Sequence, residues 1–475
     1  MKDEQQVIVV GAGPVGLWLA GELALAGVPT LVLERYEQRS PHSKALGLHV
    51  RTIEVFAMRG MAERFLAEGA RIPNWHFGML DSRLDFGPLD TPYPFLLRFP
   101  QVRTEELLER RALELGVEIR RGHAVTGLSQ DTSSVTVDVD GGTSTYSAAF
   151  AVGADGAGST VRKAAGIGFP GTDANAYGYI GEVHLDNPPP LPASWHNTEG
   201  ELTVVPMDGG LFRIMGYDPA HQRAEDDLTF ETLRETAFRI AGDDFGMHDP
   251  TWLTRFGNAT RLAETYRHGR VLLAGDAAHM NFPAGGVGLN VGLQDAMNLG
   301  WKLAAEVQGR AAPGLLDTYH SERHPVGAAL GVNTLAQSAL ITAFTPDGLA
   351  LRTLLSQLIG AQPQLSRVLA ERLTALDVAY PAADPAAHPL TGARVPDPEV
   401  FELLRAGRPV LLAMPGAEVA VSGVDVHPSS LAEKGGPAWA GVGAALIRPD
   451  GHVWWAGDAS AAPAALAGLV SVAAG

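Results

Sequence analysis

Leu272-Leu-Ala-Gly-Asp276-Ala-Ala-His279-Met-Asn-Phe-Pro283-Ala-Gly-Gly-Val-Gly288-Leu-Asn290-Val-Gly-Leu-Gln-Asp-Ala-Met-Asn-Leu-Gly-Trp-Lys302 joins three signals in one run. The apolar stretch Val271–Ala274 reads as a buried strand, and Asp276 stands at its C-terminal edge. The bend Ala284–Gly288 is rich in glycine, which lets backbone approach a ligand closely. Leu289, Leu293, Ala296, Leu299, Trp301 and Leu303 then make a broad apolar helical face. The helix start at Gly288–Asn290 offers unpaired N–H groups and a partial positive charge, where an anionic or electron-rich ligand can rest.

The chain's beginning supplies a second such turn. Val7–Val10 reads as a strand, Gly11-Ala12-Gly13-Pro14-Val15-Gly16 as a turn, Val15–Ala26 as a helix and Thr30–Leu33 as a second strand closed by Glu34. Strand, G-x-G-x-x-G, helix, strand and acid together form a dinucleotide fingerprint, which does not choose between FAD and NAD. A third strand-to-helix turn, Gly153-Ala154-Asp155-Gly156-Ala157-Gly158-Ser159-Thr160-Val161-Arg162, is rich enough in small residues to suggest another backbone–ligand contact.

Composition narrows the class. The chain has 475 residues, a formal net charge of −17 and no cysteine. Two or three domains are expected. Disulfides, thiolate metal sites and cysteine nucleophiles are excluded, and the charge argues against nucleic acid. No run is apolar enough for a membrane span, and the polar start Met1–Gln6 reads as cytoplasmic rather than as a signal peptide. Two segments leave the nucleotide-binding pattern. Residues 73–97, with Trp75, His76 and Phe77, and residues 176–262 share β character and are expected to form one sheet over the site, 221–245 being helical. Tyr319–Pro325 should kink or break a helical region running to about Ala379. Asp377–Pro398 reads as a linker before a small α/β unit, with a turn at Arg448-Pro449-Asp450-Gly451.

The three glycine-bearing stretches, in this order, resemble the class A FAD-dependent aromatic hydroxylases of the para-hydroxybenzoate hydroxylase fold. Leu46–Gly60, Gln101 and the tail are similar to the branch acting on aromatic polyketides, phenolics and rifamycins, which carries a C-terminal thioredoxin-like domain. The resemblance implies a Rossmann-type FAD-binding domain (1–72, 98–175 and 263–345) interrupted by a β-sheet substrate dome (73–97 and 176–262), a helical linker (346–385) and a thioredoxin-like α/β domain (386–475). It implies bound FAD, transient NADPH or NADH, and hydroxylation of an aromatic substrate by O2 through a flavin C4a-hydroperoxide. Baeyer–Villiger or antibiotic-inactivating oxygenation and a non-catalytic flavin-binding assembly protein are the alternatives. The partners are a small aromatic molecule and O2, neither nucleic acid nor membrane, with a homodimer among the permitted assemblies.

Carried onto this sequence, Gly11, Gly13, Pro14, Val15 and Gly16 hold the pyrophosphate; Glu34 and Arg35 lie at the adenosine ribose; Val125 lies beside the adenine. Lys44, in place of the family's arginine, contacts phosphate or flavin edge, without the planar fork. Gln101 and Asp276 reach the ribityl chain, Asp155 is associated with FAD and the reductant, and Gly288, Leu289 and Asn290 meet the pyrimidine edge. His279 and Pro283 begin the ring-facing loop. Candidate catalytic residues are His49, His279 and Pro283, with His76 as a further candidate base. Trp75, Phe77, Arg213 and Met215 are substrate candidates, and no metal ligands are expected. The tail, without cysteine, is read as a structural or assembly element.

Overall fold

The computed structural model describes residues 6–223, 227–382 and 384–469. Residues 1–5 of the polar start and 224–226 of the stretch expected to be helical lie outside these. At its centre is a six-stranded sheet ordered Arg267–His268, Val271–Leu273, Phe150–Gly153, Val7–Val10, Thr30–Glu34, Glu118–Arg121. All its pairings are parallel except that of the edge strand Arg267–His268. Val7, Ile8, Val9, Val32 and Leu272 are fully buried, as continuous apolar runs in a parallel sheet require. Helices Pro14–Leu25 and Gly288–Val307 pack together against it.

The second sheet has five antiparallel strands, ordered Ala193–Asn197, Gly200–Pro206, Phe212–Tyr217, Tyr177–Leu185, Met247–Gly257. Leu202, Val204, Ile214, Val183 and Leu185 on one face pack on Leu233, Ala237 and Ile240 of helix Phe230–Ala241. That helix is shorter than the 221–245 expected. The other face is left for the site.

Residues 73–97 do not join this sheet. Asn74–His76 and Arg83–Asp85 pair as a separate hairpin. Phe77, Leu80, Leu84, Phe86 and Leu96 pack with Val287, Val291, Leu330, Leu340, Ile359 and Leu373. The shared strand composition concealed a different partner: the helices after residue 288 offer these side chains an apolar surface. The expected break at Tyr319–Pro325 is also absent. Helix Thr318–Ile341 runs through Pro325, which lies on the exposed face with Ser321. Water can therefore serve the Ser321 carbonyl that proline leaves without its helical donor.

The tail forms a four-stranded mixed sheet, Asp425–Pro428, Val410–Ala413, Ala444–Ile447, Val453–Gly457. Its turn at Arg448–Gly451 is buried, not a surface turn. Arg448 donates to both carboxylate oxygens of Glu322 at 2.8 Å and to Asp450 at 2.6 Å. Lys302 Nζ reaches Glu322 at 2.7 Å, and Asn298 and Trp301 donate to Asp450. Arg59, paired with Glu22 of helix Pro14–Leu25, donates to the carbonyls of Leu404 and Pro449. No helix among the described residues is long and apolar enough to cross a membrane.

The Arg448→Ala variant leaves Glu322 and Asp450 buried beside too few cations. A loss of about 3–5 kcal/mol is expected, read as a lower urea midpoint with secondary structure retained in native buffer.

Candidate active site

Three adjacent strands of the central sheet release the three glycine-bearing turns at the same carboxyl edge. Val7–Val10 runs into Gly11, Phe150–Gly153 into Asp155, and Val271–Leu273 into Asp276. Open parallel sheets bind ligands at such an edge. The strands stay in register into the turns: Ala154 N donates to the Val10 carbonyl at 2.8 Å and Ala274 N to that of Gly153 at 2.9 Å.

The glycines of the first turn do different work. Gly11 has φ +107°, and a Cβ there would lie 2.4 Å from the Ala154 carbonyl oxygen. A Cβ on Gly16 would lie 2.0 Å from the Gly11 oxygen, so close packing demands glycine. A Cβ on Gly13 would meet no atom within 4 Å. Open space therefore lies at the uncapped start of helix Pro14–Leu25, where the Val15 and Gly16 amides can receive a pyrophosphate. Glu34 accepts from the amides of Ala12 at 2.8 Å and Tyr36 at 2.9 Å, which fixes its carboxylate beside that space. Arg35 is exposed and lies over the Tyr36 ring, and Val125 is half-buried at the start of its strand.

Helix Gly288–Val307 also starts without a side-chain cap. Its first turn is held by Asn290 and His49. Asn290 Oδ1 accepts from the His49 amide at 2.7 Å, and its Nδ2 donates to the carbonyls of Gly47 and Gly286. His49 Nε2 lies 2.8 Å from the Gly285 carbonyl and is therefore the protonated nitrogen. Burial pushes the His49 pKa down to about 4, only partly offset by that carbonyl. His49 is thus a neutral fastener of the glycine loop, with Nδ1 buried and unpartnered. Pro283 precedes the short helical turn Ala284–Gly286.

Beneath the loop is a carboxylate that the sequence reading missed. Asp295, fully buried, accepts from the Gly275 amide at 3.2 Å, faces His279 Nε2 at 2.6 Å and receives Arg323 Nε at 2.8 Å. Burial alone would raise its pKa, but Arg323 and His279 prevail and hold it low. His279 is committed to this cluster. The signal for it was spacing: Asp295, Asn298 and Lys302 recur three and four apart on a helix that is largely apolar.

Asp276 faces the cleft and is crowded by protein elsewhere; that enclosure raises its pKa, while His279 and the exposed Lys44 pull it down. Lys44 thus lies near Asp276 although its chain position is distant. Gln101 accepts from the Ala45 amide at 3.2 Å and fixes the loop that carries Lys44. The Asp155 carboxylate accepts from the Ser159 hydroxyl and the amides of Thr160 and Val161. It caps the following helix, and Arg162 ties this turn to the third by donating to the Ala277 carbonyl at 2.9 Å.

The free face of the five-stranded sheet is read from its register. One row is Val205, Arg213, Glu182, Trp252; the next is Ser194, Thr203, Met215, Ile180, Thr254; the third is His196, Glu201, Tyr217, Gly178, Phe256. Arg213 is buried, not solvated. It pairs with Glu182 and donates to the Ser43 carbonyl at 2.6 Å, leaving Nε unpartnered. Tyr217 and Phe256 of the third row pack against Phe282 and Ala284 of the glycine loop. Trp75 and Phe77 lie in the separate hairpin cluster near Val287 and Val291. His76 is pushed down to about 3 by enclosure and by Arg83 and His49.

Two nucleotide-ready helix starts, an acid fixed beside the first and a β face over the second define a dinucleotide-dependent enzyme site. Residues 4–334 match the family described as FAD binding domain, and 388–475 the one described as aromatic-ring hydroxylase, C-terminal. The chain belongs to the FAD-dependent aromatic-ring hydroxylases. It is 48% identical over 482 residues to an uncharacterized aromatic compound monooxygenase of Bacillus subtilis, covering 97% of this chain and 96% of that one. It is 44% identical over 466 residues to a rifampicin monooxygenase of Streptomyces venezuelae, covering 95% of each. The solved anhydrotetracycline hydroxylase OxyS from Streptomyces rimosus superposes with a TM-score of 0.88 at 41% identity, covering 98% of this chain and 99% of that one.

Gly13→Ala should change stability without FAD by no more than about 1 kcal/mol, because its Cβ meets only open space. FAD affinity should fall at least about tenfold, the methyl group occupying ligand space. Gly11→Ala should instead destabilise the FAD-free protein by about 2–4 kcal/mol. Flavin titration and urea unfolding of both variants separate the roles. For Asp295→Asn, the folded-state pKa of the native acid lies below its unfolded value of about 3.9, so its contribution is complete above that value and is lost as pH falls from there through the folded-state pKa. The stability gap between wild type and variant should be widest at neutral pH and close below about pH 4 in urea unfolding.

Proposed function

We propose that the chain hydroxylates a planar polycyclic phenol of the polyketide or rifamycin class, with NADPH or NADH as reductant. The observation that carries this reading is the free face of the five-stranded sheet. Its middle row has Met215 and Ile180 at the centre, flanked by the hydroxyl side chains of Ser194, Thr203 and Thr254, and the rows on either side carry Arg213 in one and Glu201 with Tyr217 in the other. Such a surface suits a flat ring system bearing hydroxyl groups at its ends. The rifampicin and anhydrotetracycline enzymes among the similar proteins support the class.

FAD, when bound, takes a hydride from the nicotinamide and splits O2, one atom entering the substrate and the other leaving as water. The chain's part is positional and electrostatic. Val15 and Gly16 are placed to bind pyrophosphate through their amides, and Glu34 to hold ribose hydroxyls. The first-turn amides at Gly288–Asn290 favour negative charge at the pyrimidine edge. Phe256, Phe282 and Tyr217 exclude water where the sheet meets the glycine loop. His49 and His76 are held neutral by burial, and His279 is hydrogen-bonded to Asp295, so none of the three is placed to serve as the base.

The test is NADPH and NADH oxidation by the FAD-loaded protein with anhydrotetracycline, rifampicin and a panel of polyphenolic polyketides. Stimulation of at least about tenfold, with a product one oxygen heavier by mass and an added hydroxyl by NMR, is expected. A panel that neither stimulates oxidation nor yields an oxygenated product overturns the substrate class.

A further inference from the structure

Buried acids in this molecule are matched by cations, with one exception. Among the described residues, Glu22 pairs with Arg59 and Arg111, Glu54 with Arg51 and Arg394, and Glu182 with Arg213. Asp218 pairs with Arg239, Asp295 with Arg323, Asp397 with Lys434, Glu322 with Lys302 and Arg448, and Asp450 with Arg448. Glu201, only 4% exposed, has no such partner among them. Its carboxylate receives one hydrogen bond, from the Thr203 hydroxyl at 2.7 Å. The cation it senses, Arg352, is already spent on the carbonyls of Gly78, Leu340 and Met79. An enclosed carboxyl without a cation is unfavourable unless another group serves it.

A second orphan stands directly beside it. Tyr217 is opposite Glu201 in the strand register, and its hydroxyl is buried with no hydrogen-bond partner. Its ring lies 5.6 Å from those of Phe256 and Phe282, so the pair sits where the sheet meets the glycine loop. A carboxylate with one donor and no cation, and a hydroxyl without a partner, side by side over an aromatic floor, are the complement of one phenolic O–H. The hydroxyl gives its proton to a hydrogen bond with the carboxylate, and its oxygen accepts from the tyrosine.

We propose that Glu201 and Tyr217 form the recognition site for one phenolic hydroxyl of the aromatic substrate. This deepens the reading of the preceding subsection and rests on it. The pairing also has a chemical consequence. As a ring carbon bonds to one atom of O2 and the O–O bond breaks, the other atom leaving as water, the phenolic O–H becomes strongly acidic. Its bond breaks, the electron pair remains on the substrate oxygen as a carbonyl, and the proton passes to Glu201. When the ring carbon gives up its own proton to water and aromaticity returns, the proton held by Glu201 goes back to that oxygen. Burial raises the Glu201 pKa to about 7, against the Thr203 hydrogen bond and Arg352, which suits a group that both accepts and returns a proton. The groups facing the pair are His196 on the neighbouring strand, Tyr179, whose hydroxyl donates to the Glu201 carbonyl, and Arg352. Asp81 acts on both Arg352 and His196, and Asp218 acts on Tyr179.

The experiment uses FAD-loaded protein and two probes, 2,7-dihydroxynaphthalene and 2,7-dimethoxynaphthalene, with affinity measured calorimetrically from pH 6 to 8. Free phenols ionise near pH ~10, so the probe itself stays neutral. Wild type should bind the diol about five- to tenfold more tightly at pH 8 than at pH 6, as Glu201 ionises, and the ether with no such slope. Glu201→Gln, which keeps shape and volume, should abolish the slope. Tyr217→Phe should weaken diol binding about threefold or more at every pH and keep the slope. FAD content and unfolding midpoints confirm that both variants are folded. Wild type with no preference for the diol, or Glu201→Gln with the slope retained, overturns the proposal. The naphthalene measurements involve no turnover, so a panel that fails in the oxidation assay overturns the substrate class by a separate route.

Discussion

The Asp295 carboxylate is the interaction on which the site depends. It is fully enclosed, yet it serves three elements at once: the Gly275 amide at the strand edge, His279 at the start of the ring-facing loop and Arg323 on helix Thr318–Ile341. A buried charge survives only when its lone pairs are used. Here their use fixes the distance between the Asp276 turn and helix Gly288–Val307. Arg323 also donates to the Val291 carbonyl at 3.3 Å, within the first turns of the helix that presents the amides of Gly288–Asn290. The geometry of this uncapped helix start is thus set by groups placed below it.

The same helix carries the constraint outward. Asn298 and Lys302, one and two turns beyond Asp295, engage Glu322 and Asp450, and Arg448 of the tail closes the network. Burial and Arg448 push the Lys302 pKa down to about 7 despite Glu322. Arg59 and Arg111 converge on Glu22 of the first nucleotide-binding helix, and Arg59 continues to the Pro449 carbonyl. The cysteine-free tail is therefore a clamp. One turn, Arg448–Gly451, is tied both to helix Gly288–Val307 and, through Arg59, to helix Pro14–Leu25.

The glycine turns were legible because their rules are local. A positive φ at Gly11 and the absence of room at Gly16 follow from the path of the chain, and a strand–turn–helix pattern announces that path. The Asp295 cluster and the tail clamp were less legible because their partners are far apart in sequence. Arg448 and Glu322 lie 126 residues apart, and nothing near Arg448 distinguishes a buried turn from an exposed one. Residues 73–97 were assigned to the wrong neighbour for a related reason: strand composition states that a segment needs an apolar partner, not which one. Pro325 was read as a break because the sequence does not say which face of a helix meets water.

Several polar side chains near the glycine turns hold backbone in the structure. Asp155 caps a helix, Asn290 and His49 bind the glycine loop, and Gln101 binds the Ala45 amide. Backbone amides are left to face the ligand. This division explains why lysine is acceptable at position 44. Lys44 is exposed, and it acts on Asp276 as a charge at a distance, so a planar fork is not required of it. It also separates the two halves of the cleft. The half at the glycine turns presents uncapped helix starts held in place by polar side-chain clusters. The other half presents side chains on a sheet face, among them Arg213 Nε and the Tyr217 hydroxyl, buried without a hydrogen-bond partner, and Glu201, whose carboxylate receives the Thr203 hydroxyl.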